Sequence, residues 1–160
     1  MVGFMLQALR LDRRLRTLEV GTGSGYRTAA LARLCRRVYT LERSRQARRD
    51  AQERFDELGI ENITTGAGDV GTGWPQVAPF DRIVTGSTQP DIPPVLADQL
   101  TIGGILVLPI GDEPERRCLV QITRTEQGFS TREFSRPQFA RMMADPADVA
   151  PNGSMDAPGC

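Results

Sequence analysis

The chain has 160 residues, 39% of them hydrophobic, which suits one domain with a single core. Its 20 basic and 20 acidic residues cancel, so the formal charge of zero favours neither nucleic acid nor an anionic membrane. With no histidine and three scattered cysteines, the sequence supplies no zinc-ligand set and no catalytic arrangement built on histidine, so we predict no metal site.

Apolar segments are short throughout the chain. No apolar run approaches the ~20 residues needed to span a bilayer, and the N-terminus lacks a basic region followed by an apolar core. We therefore expect a cytoplasmic protein, with Cys35 and Cys118 as small core residues and Cys160 as an exposed thiol.

The first part of the chain alternates between helical and strand patterns. In order, the pattern predicts an amphipathic helix over 1–11, a strand over 16–20, a helix after Gly25, a strand over 38–41, a helix between an N-cap at Ser44 and a left-handed Gly59, and a strand over 60–65.

The second part adds a strand over 80–85, a helix capped by Asp91 and begun by Pro93 and Pro94, and an apolar, central strand over 105–109. Residues 118–123 and 129–134 flank a turn and predict an antiparallel edge hairpin. Residues 144–160 are rich in Pro, Gly, Ala and Asp without apolar periodicity, so we expect a disordered tail after a domain over 1–143.

Strands separated by helices give parallel connections. The predicted fold class is therefore α/β, a Rossmann-like, doubly wound, mainly parallel seven-stranded sheet with helices on both faces and an antiparallel C-terminal edge.

A glycine-rich loop follows the first strand, in the sequence Leu18-Glu19-Val20-Gly21-Thr22-Gly23-Ser24-Gly25-Tyr26. Glycines at a strand-to-helix turn let the main chain approach a ligand, and the next helix points free N–H groups at it. A dinucleotide fingerprint needs glycine at the sixth place, where Tyr26 stands, and Glu19 suits a cationic ligand better than a phosphate. Both features argue against an NAD-dependent dehydrogenase.

Acidic residues follow the next two strands. Glu42 comes 17 residues after Gly25, the last glycine of the loop, close to the ~20 expected of a ribose-binding acid, although an ion pair with Arg43 or Arg45 is the alternative. Asp69 alone would be an ordinary turn aspartate. In a parallel sheet the loop, Glu42, Asp69 and Thr85 emerge at one edge, which predicts a ligand site there.

These segments together resemble the protein-L-isoaspartate O-methyltransferase family of class I S-adenosylmethionine-dependent methyltransferases. The residues that carry the resemblance run in family order from about Met1 to Phe139: 18–26, 37–43, 62–65, Gly68-Asp69 with Gly73-Trp74, 78–83, 90–93 and 103–111.

The resemblance implies transfer of a methyl group from S-adenosylmethionine to the free carboxylate of L-isoaspartyl or D-aspartyl residues in damaged proteins, which initiates their repair, by a monomer that needs no nucleic acid or membrane. The acceptor is already ionised at pH 7, so no catalytic residue is predicted. The cofactor-binding residues that it implies are Glu19, Gly21, Thr22, Gly23, Ser24, Gly25, Glu42 at the ribose, Asp69 at the adenine, Val70 and Thr85.

Several positions depart from the family pattern. The family has a Thr-Ile-Ser-Gln-Pro segment directly before the stretch that aligns with residues 1–5, so we expect an N-terminally shortened member. The family's Phe-Val-Pro-Leu segment survives only as Phe139. Val70 stands where the family usually has a glycine after the aspartate, and residues 85–88 differ from the family's segment. The cofactor side is thus nearly complete and the substrate side is not, which leaves a noncatalytic or weakly active S-adenosylmethionine-binding relative, or a small-molecule methyltransferase, as alternatives. Trp74 could form the floor of the pocket or pack in the core, and we expect it to pack in the core.

Overall fold

Seven strands form one sheet in the computed structural model, which describes residues 2–111 and 117–134. In chain order the elements are α1 (Val2–Ala8), β1 (Arg16–Val20), α2 (Tyr26–Leu34), β2 (Arg37–Leu41), α3 (Arg45–Glu57), β3 (Ile63–Gly66), β4 (Phe80–Thr85), α4 (Pro94–Asp98), β5 (Leu100–Ile110), β6 (Cys118–Thr125) and β7 (Gly128–Phe134).

The strands lie in the order β3-β2-β1-β4-β5-β6-β7. Strands β1 to β5 pair in parallel, and β6 and β7 pair antiparallel at one end of the sheet. The predicted seven-stranded fold class is confirmed. Because β1 has β2 on one side and β4 on the other, the winding direction reverses between β1 and β4, which is where open parallel sheets bind ligands.

The sheet has an apolar core on each face. Helices α1, α2 and α3 supply Met5, Leu31 and Phe55 to one core, together with residues of β2, β4 and β5. Helix α4 supplies Leu96 to the other core, where the chain between β3 and β4 also packs. The prediction of helices on both faces is therefore confirmed.

Local signals explain how α3 begins and ends. The side chain of Ser44 accepts a hydrogen bond of 3.2 Å from the Ala47 N–H, and Gly59 follows the helix at φ 63°. Both were predicted, since a hydroxyl at the N-cap satisfies a free N–H and glycine adopts the left-handed conformation at low cost.

Three local predictions were wrong. Helix α4 has Pro93 at its N-cap, and Asp91 accepts only from the adjacent Ile92 N–H at 2.7 Å. Strand β3 begins at Ile63 because the Asn62 side chain donates to the Ala32 carbonyl at 2.7 Å and holds the preceding chain against α2.

Strand β5 begins earlier than predicted, because Leu100 pairs with Phe80 ahead of a register shift. Tyr26 and Leu34 of α2 are 73% and 43% exposed.

The cysteines differ in their surroundings. Cys35 is buried, with its sulfur 3.1 Å from the Thr17 hydroxyl, whereas Cys118 is half-buried; both are free. Burial raises the pKa of the Cys35 thiol above its ordinary value. Cys160, Phe139 and the tail over 144–160 lie outside the described residues. None of the described helices has the length and apolar character to span a membrane.

Candidate functional site

The glycine loop joins β1 to α2 with three glycines at positive φ, 91° at Gly21, 53° at Gly23 and 83° at Gly25. A Cβ at Gly21 or Gly23 would meet nothing within 4 Å, so the outer face of the loop is open to a ligand. A Cβ at Gly25 would stand 2.7 Å from the Phe55 ring. The first two glycines therefore shape an open cradle, and the third lets α2 pack on α3.

Glu42 is tied to this loop. One oxygen of its carboxylate accepts the Gly23 N–H at 3.1 Å, and the other accepts the Ser44 N–H at 3.0 Å. In the part of the chain that the structure describes, neither Arg43 nor Arg45 forms an ion pair with it, so the alternative role for Glu42 is not observed. The carboxylate retains lone pairs for a ligand, since each oxygen can accept more than one hydrogen bond.

A cavity of about 290 Å³ lies across the carboxyl ends of β3, β2, β1 and β4. It brings together four of the predicted site residues, Gly21, Glu42, Asp69 and Val70. Its other lining residues are Val20, Leu41, Arg43, Gly68, Ser87 and Gln89. Gln89 was missed, and Ser87 was noted only as part of the altered segment over 85–88, although both follow β4 and so belong to the same edge of the sheet.

Asp69 lies in a turn after β3, where its carboxylate accepts the Gly71 N–H at 2.9 Å. Gln99 holds this turn from below: its side-chain oxygen accepts the Trp74 N–H at 2.8 Å, and its side-chain nitrogen donates to the Thr72 carbonyl at 3.1 Å. Trp74 packs edge-on against Tyr39, with ring centroids 5.9 Å apart, which confirms its predicted place in the core.

The structure gives the carboxylate of Glu19 partners within the protein. Its side chain is fully buried, and its partner cation is Arg27, whose Nε lies 2.6 Å from a carboxylate oxygen. The hydroxyls of Thr28 and Thr40 donate to its other oxygen. A buried carboxylate needs such partners, so Glu19 is satisfied within the protein and does not line the cavity.

Two other predicted residues are directed into the protein. The Thr22 hydroxyl shares a hydrogen bond of 2.7 Å with Thr40, and the Thr85 hydroxyl lies 2.9 Å from that of Ser87. Both threonines are buried. Ser24 is exposed on the loop, beside the cavity-lining set but outside it. Sequence spacing located the loop but could not show which of its side chains face inward.

The hydrogen-bond acceptors and apolar side chains of the cavity fit an adenosine group. Two carboxylates can accept from ribose hydroxyls and an exocyclic amine, and Val20, Leu41 and Val70 offer apolar contact for a base. The lining holds no cysteine or histidine, and the sequence has no histidine at all, so the arrangement is suited to binding and positioning a ligand.

A family model described as "Protein-L-isoaspartate(D-aspartate) O-methyltransferase" matches residues 1–141. A protein-L-isoaspartate O-methyltransferase of Paramagnetospirillum magneticum is 47% identical over 143 residues, 89% of this chain and 67% of that protein. One of Rhodospirillum rubrum is 51% identical over 127 residues, 79% of this chain and 58% of that protein. The chain thus spans about two thirds or less of the length of these curated relatives.

Solved structures agree with the fold. A protein-L-isoaspartate O-methyltransferase superposes with a TM-score of 0.76 at 26% identity, covering 83% of this chain and 43% of that one. A Plasmodium falciparum structure, described as a putative enzyme of the same type in complex with S-adenosyl-L-homocysteine, superposes with a TM-score of 0.67 at 23% identity, over 83% of this chain and 66% of that one.

Proposed function

The chain belongs to the protein-L-isoaspartate(D-aspartate) O-methyltransferase family, and we propose that it methylates the free carboxylate of L-isoaspartyl or D-aspartyl residues in damaged proteins with S-adenosylmethionine. Methylation turns the carboxylate into an ester whose methoxy group can leave as methanol. The backbone amide nitrogen of the following residue can then attack the ester carbonyl and close a succinimide, which permits repair.

One observation carries this proposal: Gly21 of the glycine loop and the carboxylates of Glu42 and Asp69 line a single cavity. The hydrogen bond between Glu42 and the Gly23 N–H joins two of these parts directly. Acceptors at the ends of β2 and β3, beside an open loop at the end of β1, are what an adenosine group with a charged extension requires.

In the proposed mechanism the residues of the cavity bind and orient the cofactor. Glu42 accepts from the ribose hydroxyls, Asp69 accepts from the adenine amine, and Val70 packs against the base. Bound there, S-adenosylmethionine would supply a methyl group on a positively charged sulfur. The acceptor carboxylate has an ordinary pKa near 4 and is ionised at pH 7, so the protein supplies alignment of the two groups and no general base.

The proposal includes a monomer acting on isoaspartyl proteins in the cytoplasm. Cys35 and Cys118 are free thiols, which fits a reducing compartment.

A labelled methyl-transfer assay tests this function with an isoaspartyl peptide and its sequence-matched aspartyl peptide. We expect label only on the isoaspartyl peptide, and calorimetric binding of S-adenosylhomocysteine without comparable binding of NAD. Binding without transfer to the peptide would favour the noncatalytic alternative, and label on small metabolites instead would favour a small-molecule methyltransferase. Tight NAD binding would overturn the cofactor assignment.

A further inference from the structure

The residues that line the candidate cavity lie in a row, in the order of the strands that they follow. Asp69 follows β3, Glu42 follows β2, Gly21 follows β1, and Ser87 follows β4. Adjacent strands lie about 4.8 Å apart, so the ends of β2 and β4 are separated by roughly 10 Å. With adenine and ribose at the first two positions, the amino-acid end of the cofactor reaches the crevice between β1 and β4.

Arg27 lies between the ends of β1 and β4, beside the residues that line the cavity but not among them. Its Nη2 donates to the Gly21 carbonyl at the end of β1, at 3.0 Å. On the β4 side, a Cβ at Gly86 would overlap the Arg27 guanidinium, so that group covers the backbone at the end of β4. Val20 and Thr85 are register partners, which places the two strand ends side by side beneath it.

The guanidinium is fixed in position. Its Nε is held by Glu19, and Glu19 is held in turn by the hydroxyls of Thr28 and Thr40. The whole Glu19 side chain is inaccessible to solvent. A charged donor held by a buried carboxylate loses little rotamer freedom on binding a ligand, so its contribution to affinity is not offset by ordering.

Part of the guanidinium remains free to bind. The Arg27 side chain is 13% exposed. Among residues 2–111 and 117–134, every buried side-chain nitrogen has a hydrogen-bond partner. The Nη1 atom of Arg27 has no hydrogen-bond partner among these residues, so this atom is not buried and is in contact with solvent. A guanidinium presents five N–H donors in a planar fork, which suits a carboxylate.

We propose that Arg27 binds the carboxylate of the methionine part of S-adenosylmethionine and thereby positions the amino-acid end of the cofactor. This inference rests on the proposed function for the cofactor, but not on the identity of the methyl acceptor. The competing explanation is that Arg27 only neutralises the buried Glu19. The two explanations predict different binding results. Only if Arg27 contacts the ligand does its contribution to affinity depend on whether the ligand has a carboxylate.

The test compares two ligands by calorimetry on the 160-residue chain: S-adenosylhomocysteine and its decarboxylated analogue, which lacks only the carboxylate. We expect the unsubstituted chain to prefer S-adenosylhomocysteine at least tenfold, about 1.4 kcal/mol. Arg27→Gln should abolish that preference by weakening S-adenosylhomocysteine binding alone, while binding of the analogue changes less than about twofold.

Two further variants keep the test decisive. Because Arg27→Gln leaves Glu19 buried without its cation, the double variant Glu19→Gln/Arg27→Gln removes both charges and is measured beside it, with thermal unfolding to check folding. Arg54→Gln is the matched control: Arg54 also donates to a carbonyl of the glycine loop, that of Ser24 at 3.0 Å, but from α3. It should leave the ligand preference unchanged.

Equal loss of both ligands in Arg27→Gln and in the double variant would overturn the proposal and leave Arg27 with a structural role. Unchanged binding of S-adenosylhomocysteine with a raised KM for isoaspartyl peptide would also overturn it, by moving Arg27 to the acceptor. A chain that discriminates through Arg27 but methylates no isoaspartyl peptide would support this inference and overturn the proposed acceptor.

Discussion

Glu42 shows how one side chain can serve both the loop and the ligand. Its carboxylate accepts backbone N–H groups from Gly23 and Ser44, and so links the glycine loop to the start of α3. It also lines the cavity. A residue in this position fixes the shape of the cradle before any ligand binds, which reduces the ordering needed on binding.

Replacing Glu42 by alanine should weaken S-adenosylhomocysteine binding by roughly 1.5–3 kcal/mol, about tenfold or more, because charged hydrogen bonds to the ribose are lost. Calorimetry measures the change, and Glu57→Ala, an exposed carboxylate at the end of α3, is the control expected to bind normally. An unaltered affinity in a folded Glu42→Ala protein would reduce Glu42 to a structural residue.

At the scale of elements, the start of α2 depends on its close approach to α3. A Cβ at Gly25 would stand 2.7 Å and 2.9 Å from two atoms of the Phe55 ring, and Phe55 is fully buried, so the ring has little room to retreat. Gly23 has a positive φ as well, but its Cβ position is open. Substitutions at the two glycines therefore distinguish the cost of a strained backbone from the cost of a steric clash in the core.

Gly23→Ala should lower the free energy of unfolding by about 1–2 kcal/mol, the cost of a left-handed alanine. Gly25→Ala should lower it by a further 1–3 kcal/mol or so, because Phe55 must shift in a packed core. Urea denaturation of the two variants gives the comparison directly. Equal losses would show that Phe55 accommodates the extra methyl group freely.

The turn that carries Asp69 is supported by Gln99, whose side chain satisfies both the Trp74 N–H and the Thr72 carbonyl. Gln99→Ala should cost about 1–3 kcal/mol of unfolding free energy, since these backbone groups lose their partner. Trp74 is the single tryptophan of the sequence, so its fluorescence reports on this turn during urea unfolding. Gln46→Ala, on the exposed surface of α3, should leave the free energy of unfolding nearly unchanged. A similar loss in that variant would show that the effect is not specific to Gln99.

For the molecule as a whole, the sequence predicted the sheet and the edge that carries the cavity, because alternating strands and helices restrict the topology to very few arrangements. It did not predict the partner of Glu19. Arg27 lies on the first turn of α2, and only the folded crossing of β1 and α2 brings the two charges together. The early start of β5 was missed for a similar reason, since pairing of Leu100 with Phe80 depends on the neighbouring strand.

The titratable side chains of the whole chain lead to a final prediction about pH. All 20 basic residues are arginines and there is no histidine, so cysteine thiols are the side chains with ordinary pKa values closest to neutrality. Burial raises the pKa values of Cys35 and Cys118, and nearby Glu133 adds to the rise at Cys118, which keeps both thiols neutral at pH 7.

The expected methyl acceptor is a carboxylate with a pKa near 4 that reacts in its ionised form, so the rate should fall only as pH drops toward that value. We therefore expect kcat/KM for an isoaspartyl peptide to vary by less than about twofold between pH 6 and pH 8 and to decline below about pH 5. Initial rates at constant ionic strength measure this, with thermal unfolding at each pH to separate loss of rate from loss of fold. A tenfold rise per pH unit between pH 6 and pH 8 would instead require a titrating base, which the proposed mechanism does not contain.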